Sequence, residues 1–255
     1  MPTSADTKLP VVILIHGAGL NGASWNPVRR AIDPRVRLLT PDLPGHGARI
    51  AEPFTLEAAA ATVVDAVRST NGAPVVVGGD SLGGYTSMAA AAALPSEQLK
   101  GMVLSGCSTN VIGARAMLPF LMKKFSSQVM ALLLNQRQTE KALTKKLREF
   151  GISEPDIAAM MDAKMNPWVL PQAVDALRGV DFRAKVAAMP QPILLVNGGK
   201  DAVCMRQEQD FFAAAQTPQR YIFDDTDHGV SLLRSADFAA MVNRFATPLL
   251  GLAPA

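Results

Sequence analysis

Short apolar runs rich in Val, Ile and Leu recur along the chain, at residues 9–15, 36–40, 74–78, 101–105, 192–196 and 220–223. A strand exposes successive side chains to opposite faces, so a run that is apolar at consecutive positions must be covered on both sides. Between these runs lie longer Ala-rich or amphipathic stretches, at 23–32, 56–69, 82–94, 205–215 and 235–250. Strands alternating with helical stretches predict an α/β fold: a mostly parallel sheet of about six strands with helices on both faces.

The alternation breaks between residues 109 and 189, where the sequence is helical, charged and Met-rich and offers no strand. This predicts a core made of 1–108 and 190–255, and a helical cap or lid with its return helix over 109–189. With 49% hydrophobic and 18% charged residues in a chain of 255, the composition supports a large core and excludes disorder. The net charge of +3 is scattered, and its denser patch, Lys123, Lys124 and 141–148, reads as a solvated helix face. No nucleic-acid partner is expected. Two cysteines cannot build a disulfide framework, and the opening residues lack a basic start followed by an apolar run, so the expected location is the cytoplasm. The apolar runs are too short to span a bilayer, and no membrane partner is expected.

The strongest chemical signal is Gly79-Asp80-Ser81-Leu82-Gly83, followed by Gly84, between an apolar strand and an Ala-rich helix. A nucleophile elbow needs that context, because the serine must stand on a sharp turn whose neighbours carry little side chain. The helix beginning at Leu82 also aims its free N–H groups at developing negative charge. A second signal, His16-Gly17-Ala18-Gly19, ends the first strand, where the N–H of Ala18 can join that of Leu82 in an oxyanion hole. Its spacing is neither that of a P-loop nor that of a dinucleotide fingerprint.

Ser81 needs a base, and the chain has three histidines. His16 belongs to the His-Gly turn and His46 to the loop Pro41-Asp42-Leu43-Pro44-Gly45-His46-Gly47, which leaves His228 after the last strand. Asp201 follows the strand at 192–196 through a glycine turn and reaches the same edge of the sheet. Asp225 and Asp227 read as exposed turn residues, and Asp42 as a residue fixing its loop's backbone. The order Ser81, Asp201, His228 is that of α/β-hydrolase triads.

Together the His-Gly motif with Trp25 downstream, the 41–47 loop, the elbow, Gly199-Lys200-Asp201 and Asp227-His228-Gly229 resemble the α/β-hydrolase superfamily, and within it small bacterial cap-bearing esterases and lactonases. The resemblance runs from Leu9 to about Leu250. Three features depart from it. Few residues precede Leu9, which implies a sheet without the extra N-terminal hairpin of many relatives. Asp80 stands before the nucleophile, where relatives often carry an uncharged residue. Ala48 and Arg49 follow Gly47, without the serine that often closes that motif.

The resulting expectation is a serine hydrolase acting on a small, mainly apolar carboxylic ester, lactone or thioester through an acyl-enzyme, with no metal or organic cofactor, as a monomer or homodimer. Met117, Phe120, Leu121 and Trp168 are expected to line an apolar pocket under the lid, with Lys and Arg facing solvent. A medium-length or cyclic acyl group is then favoured over acetate. Three alternatives remain open at this level. One is C–C bond hydrolysis or hydroxynitrile-lyase chemistry on the same triad, and another is a weakly catalytic ligand receptor. The third reads Gly79-Asp80-Ser81-Leu82 with Asp225-Thr226-Asp227-His228 as the serine and histidine blocks of a GDSL esterase.

Overall fold

A computed structural model of the chain describes residues 9–253. Six strands, β1 (Val11–Ile15), β2 (Arg37–Leu39), β3 (Val75–Asp80), β4 (Leu99–Ser105), β5 (Ile193–Gly198) and β6 (Pro218–Phe223), form one sheet in the order β2-β1-β3-β4-β5-β6. All five pairings are parallel, with Ile13 opposite Val77 and Gly79 opposite Leu104. The hairpin question concerns residues before Leu9, outside the described residues.

The period of two is explicit in β1, where Val11, Ile13 and Ile15 join one buried cluster while Val12 and Leu14 join another. Four helices follow in the first part of the chain: α1 (Asn26–Arg29), α2 (Leu56–Arg68), α3 (Leu82–Ala90) and, after β4, α4 (Ala114–Leu133). The chain continues through α5 (Gln136–Glu149), α6 (Glu154–Asp162), α7 (Leu170–Leu177) and α8 (Phe182–Ala187) before β5. After β5 come α9 (Ala202–Met205) and α10 (Glu208–Ala214), then β6, α11 (Val230–Leu233) and α12 (Ser235–Leu249). Val63 of α2 and Met88 of α3 pack on one face of the sheet, and Val28 of α1 and Val242 of α12 on the other.

Two stretches expected to be continuous helices are divided. At 23–32 a 3-10 turn over Gly22–Trp25 precedes α1, because Pro27 brings no N–H and is accommodated only in a helix's first turn. At 205–215 the chain is divided into α9 and α10. The Asp201 carboxylate accepts the N–H groups of Val203 and Cys204 and so starts α9 earlier than expected.

No strand falls within 109–189. This segment is tied to the loops after β1 and β2. Asn166 donates from its backbone to Gly19 O (3.1 Å) and from its side chain to Gly45 O (2.8 Å). Asn21 donates to Met160 O (2.8 Å), and Arg30 grips Asp156 at 2.9 and 2.6 Å. Its last helix, α8, is part of the core: Phe182 is fully buried with its ring 4.7 Å from that of Tyr85 on α3. Among the described residues no helix is long and apolar enough to cross a membrane.

Truncating Phe182 removes a buried ring that joins α8 to α3, so Phe182→Ala is expected to lower the unfolding free energy by about 3–5 kcal/mol. Urea denaturation measures this, and a loss below about 1 kcal/mol would mean that α8 is not part of the cooperative core.

Candidate active site

Ser81 joins β3 to α3 with φ 52° and ψ −114°, a combination rare for a residue with a side chain. Such backbone costs about 1–3 kcal/mol and persists only where its surroundings hold it. Here Ser81 N–H donates to Ser105 O at 2.7 Å. A Cβ at Gly79 or Gly83 would press into the backbone at Ile15, so the turn closes against β1 only with glycine at both positions. The hydroxyl therefore projects beyond the carboxyl edge of the sheet.

His228, in the loop after β6, brings Nε2 to 2.9 Å from Ser81 Oγ. Its Nδ1 lies 2.6 Å from Asp201 Oδ2, while Asp201 Oδ1 accepts the N–H groups of Val203 and Cys204 at 3.1 Å each. With one carboxylate oxygen held by backbone, the other is aimed at the imidazole. This pattern places the proton on Nδ1 and leaves Nε2 to accept from the serine. Asp225 instead accepts from Arg234 Nη1 with both carboxylate oxygens, at 2.9 Å each, and Asp227 Oδ1 accepts the backbone N–H of His228. The structure thus brings Asp201, not Asp225, to the His228 ring, against the arrangement of the GDSL alternative.

Burial opposes the charged form of His228, yet the bond to Asp201 and the negative charges of Asp80 and Asp201 outweigh it and raise the pKa above the ordinary imidazole value. Burial likewise opposes an ionised Asp201, but its bonds from His228 and Cys204 hold the carboxyl well below the usual range. Asp80 is buried, which raises its pKa, and its Oδ1 accepts from Ser105 Oγ at 2.7 Å.

The other two histidines hold the floor of the site. His16 is fully buried, its Nδ1 2.9 Å from Gly17 O and its Nε2 accepting Leu43 N–H at 3.1 Å. His46 mirrors it, with Nδ1 2.9 Å from Pro44 O and Nε2 accepting Gly19 N–H at 3.1 Å. Burial lowers both pKa values, that of His16 to about 4, so each ring is neutral and fastens one loop to the other. Asp42 secures the same loop by accepting Gly22 and Ala48 N–H at 2.7 and 2.9 Å. This arrangement presents Ala18 beside Leu82, whose N–H opens α3 and has no acceptor within the helix.

Ala18, Ser81, Leu82 and His228 line one cavity of about 70 Å³. A larger hollow of about 780 Å³, between residues 30–35 and 243–248, has no histidine in its wall. Of the expected pocket residues, Phe120 lines the cavity. Met117 is buried in the core cluster instead, Leu121 is 37% exposed, and Trp168, half-buried in a 3-10 turn, lies outside the lining. Along α4 the helical period turns Phe120 inward and leaves Leu118, Met122 and Phe125 58–68% exposed. The opposite wall is α7, with Leu170, Ala173, Val174 and Leu177. Their spacing of three and four is visible in the sequence, but the same period marks any core-facing helix and does not single out a pocket wall. Lys123, which is exposed to solvent as expected, also lines the cavity.

Asp201, Cys204 and His228 place possible metal-ligating atoms within 4.8 Å of one another. Burial pushes the Cys204 thiol well up, and Asp201 and His228 share a hydrogen bond that a cation would have to break.

Compared with known proteins, residues 12–241 match the model of the alpha/beta hydrolase family. The pimeloyl-[acyl-carrier protein] methyl ester esterase of Vibrio campbellii is 24% identical over 245 residues, 93% of this chain and 94% of that protein. The protein of the same name from Neisseria meningitidis serogroup A is 27% identical, covering 94% of this chain and 77% of its own length. Among solved structures, MenH from S. aureus superposes with a TM-score of 0.74 at 14% identity, over 95% of each chain, a likeness of fold.

The Asp80 charge favours imidazolium, and only a neutral imidazole can accept the serine proton, so with His228 as base an activity is expected to fall as pH drops through its pKa. Asp80→Asn removes one of the groups that raise this pKa and is expected to move the acidic limb of the kcat/KM profile to lower pH. A limb that stays in place would mean that the Asp80 charge does not reach the imidazole.

Proposed function

Because the chain belongs to the alpha/beta hydrolase family, we propose that it cleaves small carboxylic esters, with Ser81 as nucleophile, His228 as general base and Asp201 as the residue that orients it. The observation that carries this reading is the unbroken hydrogen-bond relay from Asp201 through His228 to Ser81, at 2.6 and 2.9 Å, beside a cavity that can hold an acyl group. The names of the relatives, methyl ester esterases, support an oxygen ester over an amide.

In the first half-reaction Ser81 Oγ attacks the carbonyl carbon and His228 Nε2 takes the hydroxyl proton. The oxyanion is received by the N–H groups of Ala18 and Leu82, which are fixed before the charge develops. Collapse expels the alcohol, to which His228 returns the proton. Water then attacks the acyl-enzyme with His228 again as base, and Ser81 leaves as the free hydroxyl. Asp201 stays ionised throughout and stabilises the imidazolium. Within residues 109–189, helices α4 and α7 act as a cap that walls the acyl site, while α8 returns to the core.

Ser81→Ala and His228→Ala should each lower kcat on a p-nitrophenyl ester by roughly 10⁴-fold or more, and the double variant should be scarcely worse, because the groups act as one unit. Multiplicative losses, or normal turnover by Asp201→Asn beside a crippled Asp225→Asn, would overturn the assignment. Each methylene buried in the acyl site contributes about 0.8 kcal/mol, roughly fourfold in kcat/KM. Because the cavity is small, the expected rise from acetyl through butyryl levels off by octanoyl. A series that falls from acetyl onward would contradict an apolar acyl site.

A further inference from the structure

The wall of the cavity is apolar apart from the reacting groups, Cys204, the tyrosine hydroxyl and one cation, Lys123. Lys123 lies one turn beyond Phe120 on the same face of α4, and it is exposed, which puts it at the cavity mouth. Among the described residues its Nζ makes no hydrogen bond and no ion pair, whereas the adjacent Lys124 is held by Asp175 at 2.6 and 2.7 Å.

An unpaired ammonium here works against the proposed chemistry. His228 becomes cationic as Ser81 attacks, and the Lys123 charge is felt at the imidazole, where it disfavours that form. A neutral ester leaves this repulsion in place. A negative charge carried by the substrate removes it and gains an ion pair in a site partly screened from water.

We propose that the site is built for esters of short dicarboxylic acids, in which the acyl chain ends in a free carboxylate, and that Lys123 is the residue selecting them. This rests on the reading of Ser81 as nucleophile and goes beyond it by naming the substrate class. The cavity of about 70 Å³ suits a short acyl chain whose far end reaches the mouth.

The test compares the p-nitrophenyl half-esters of succinic, glutaric and adipic acids with p-nitrophenyl butyrate, pentanoate and hexanoate, matched in chain length. Wild type, Lys123→Met and Lys123→Glu are assayed, and the rate with Ser81→Ala protein is subtracted. Lys123→Met keeps the apolar stem and drops the charge, so kcat/KM should fall about fivefold for the best half-ester, as for a partly exposed ion pair. With the neutral ester of equal length it should rise, because the charge that opposes the imidazolium is gone. Lys123→Glu should widen that divergence. Added salt should erode the half-ester advantage of the wild type but leave Lys123→Met indifferent. A half-ester to neutral-ester ratio unmoved by both variants, including an equal fall in the two series, would overturn the proposal. Absence of Ser81-dependent turnover in both series would instead overturn the hydrolase reading itself.

Discussion

The site depends on a single backbone constraint: Ser81 must hold φ 52° and ψ −114° where β3 turns into α3. That conformation lifts the hydroxyl out of the sheet and leaves the first N–H of α3 pointing at the same space. It survives because Gly79 and Gly83 allow the turn to lie against the backbone of β1 at Ile15. The pairing of β1 with β3, whose register sets Ile15 opposite Gly79, is therefore what holds the elbow closed.

Around that turn the buried polar groups divide by charge. His16 and His46 are neutral braces, each using both ring nitrogens on backbone groups, and together they join the loops after β1 and β2. Asp201 is ionised and satisfied by three donors, so it can orient an imidazole without accepting its proton. Asp80 is a second buried carboxylate, fastened by Ser105, whose charge reinforces that of Asp201 at His228. Lys123 on α4 adds the opposing charge, so the basicity of His228 is a balance struck between these groups.

The sheet was legible in the sequence because its central strands are compact apolar runs, and the elbow and the His-Gly turn lie at strand ends, with Asp201 one glycine turn beyond β5. Edge strand β6, with Gln219, Arg220 and Tyr221 exposed, carries only a short apolar end. Helix continuity was less legible. Pro27 and the Asp201 cap act on single N–H groups, which an apolar period over ten residues averages away. The helical segment 109–189 was the hardest part to read. Its apolar residues on α4 cover more than one face, so composition could not tell Phe120, which reaches the cavity, from Phe125, which is 68% exposed. Only the packing of α4 against α7 separates them, and the same packing sets the exposed Lys123 at the cavity mouth.

The most direct measurement is intact-mass spectrometry after treatment with a fluorophosphonate, which reacts with a serine hydroxyl only when a base and an oxyanion site are assembled around it. The account predicts one adduct per chain, mapped to the peptide containing Ser81 and formed far more slowly in His228→Ala protein. No adduct, or an adduct at another serine, would contradict it.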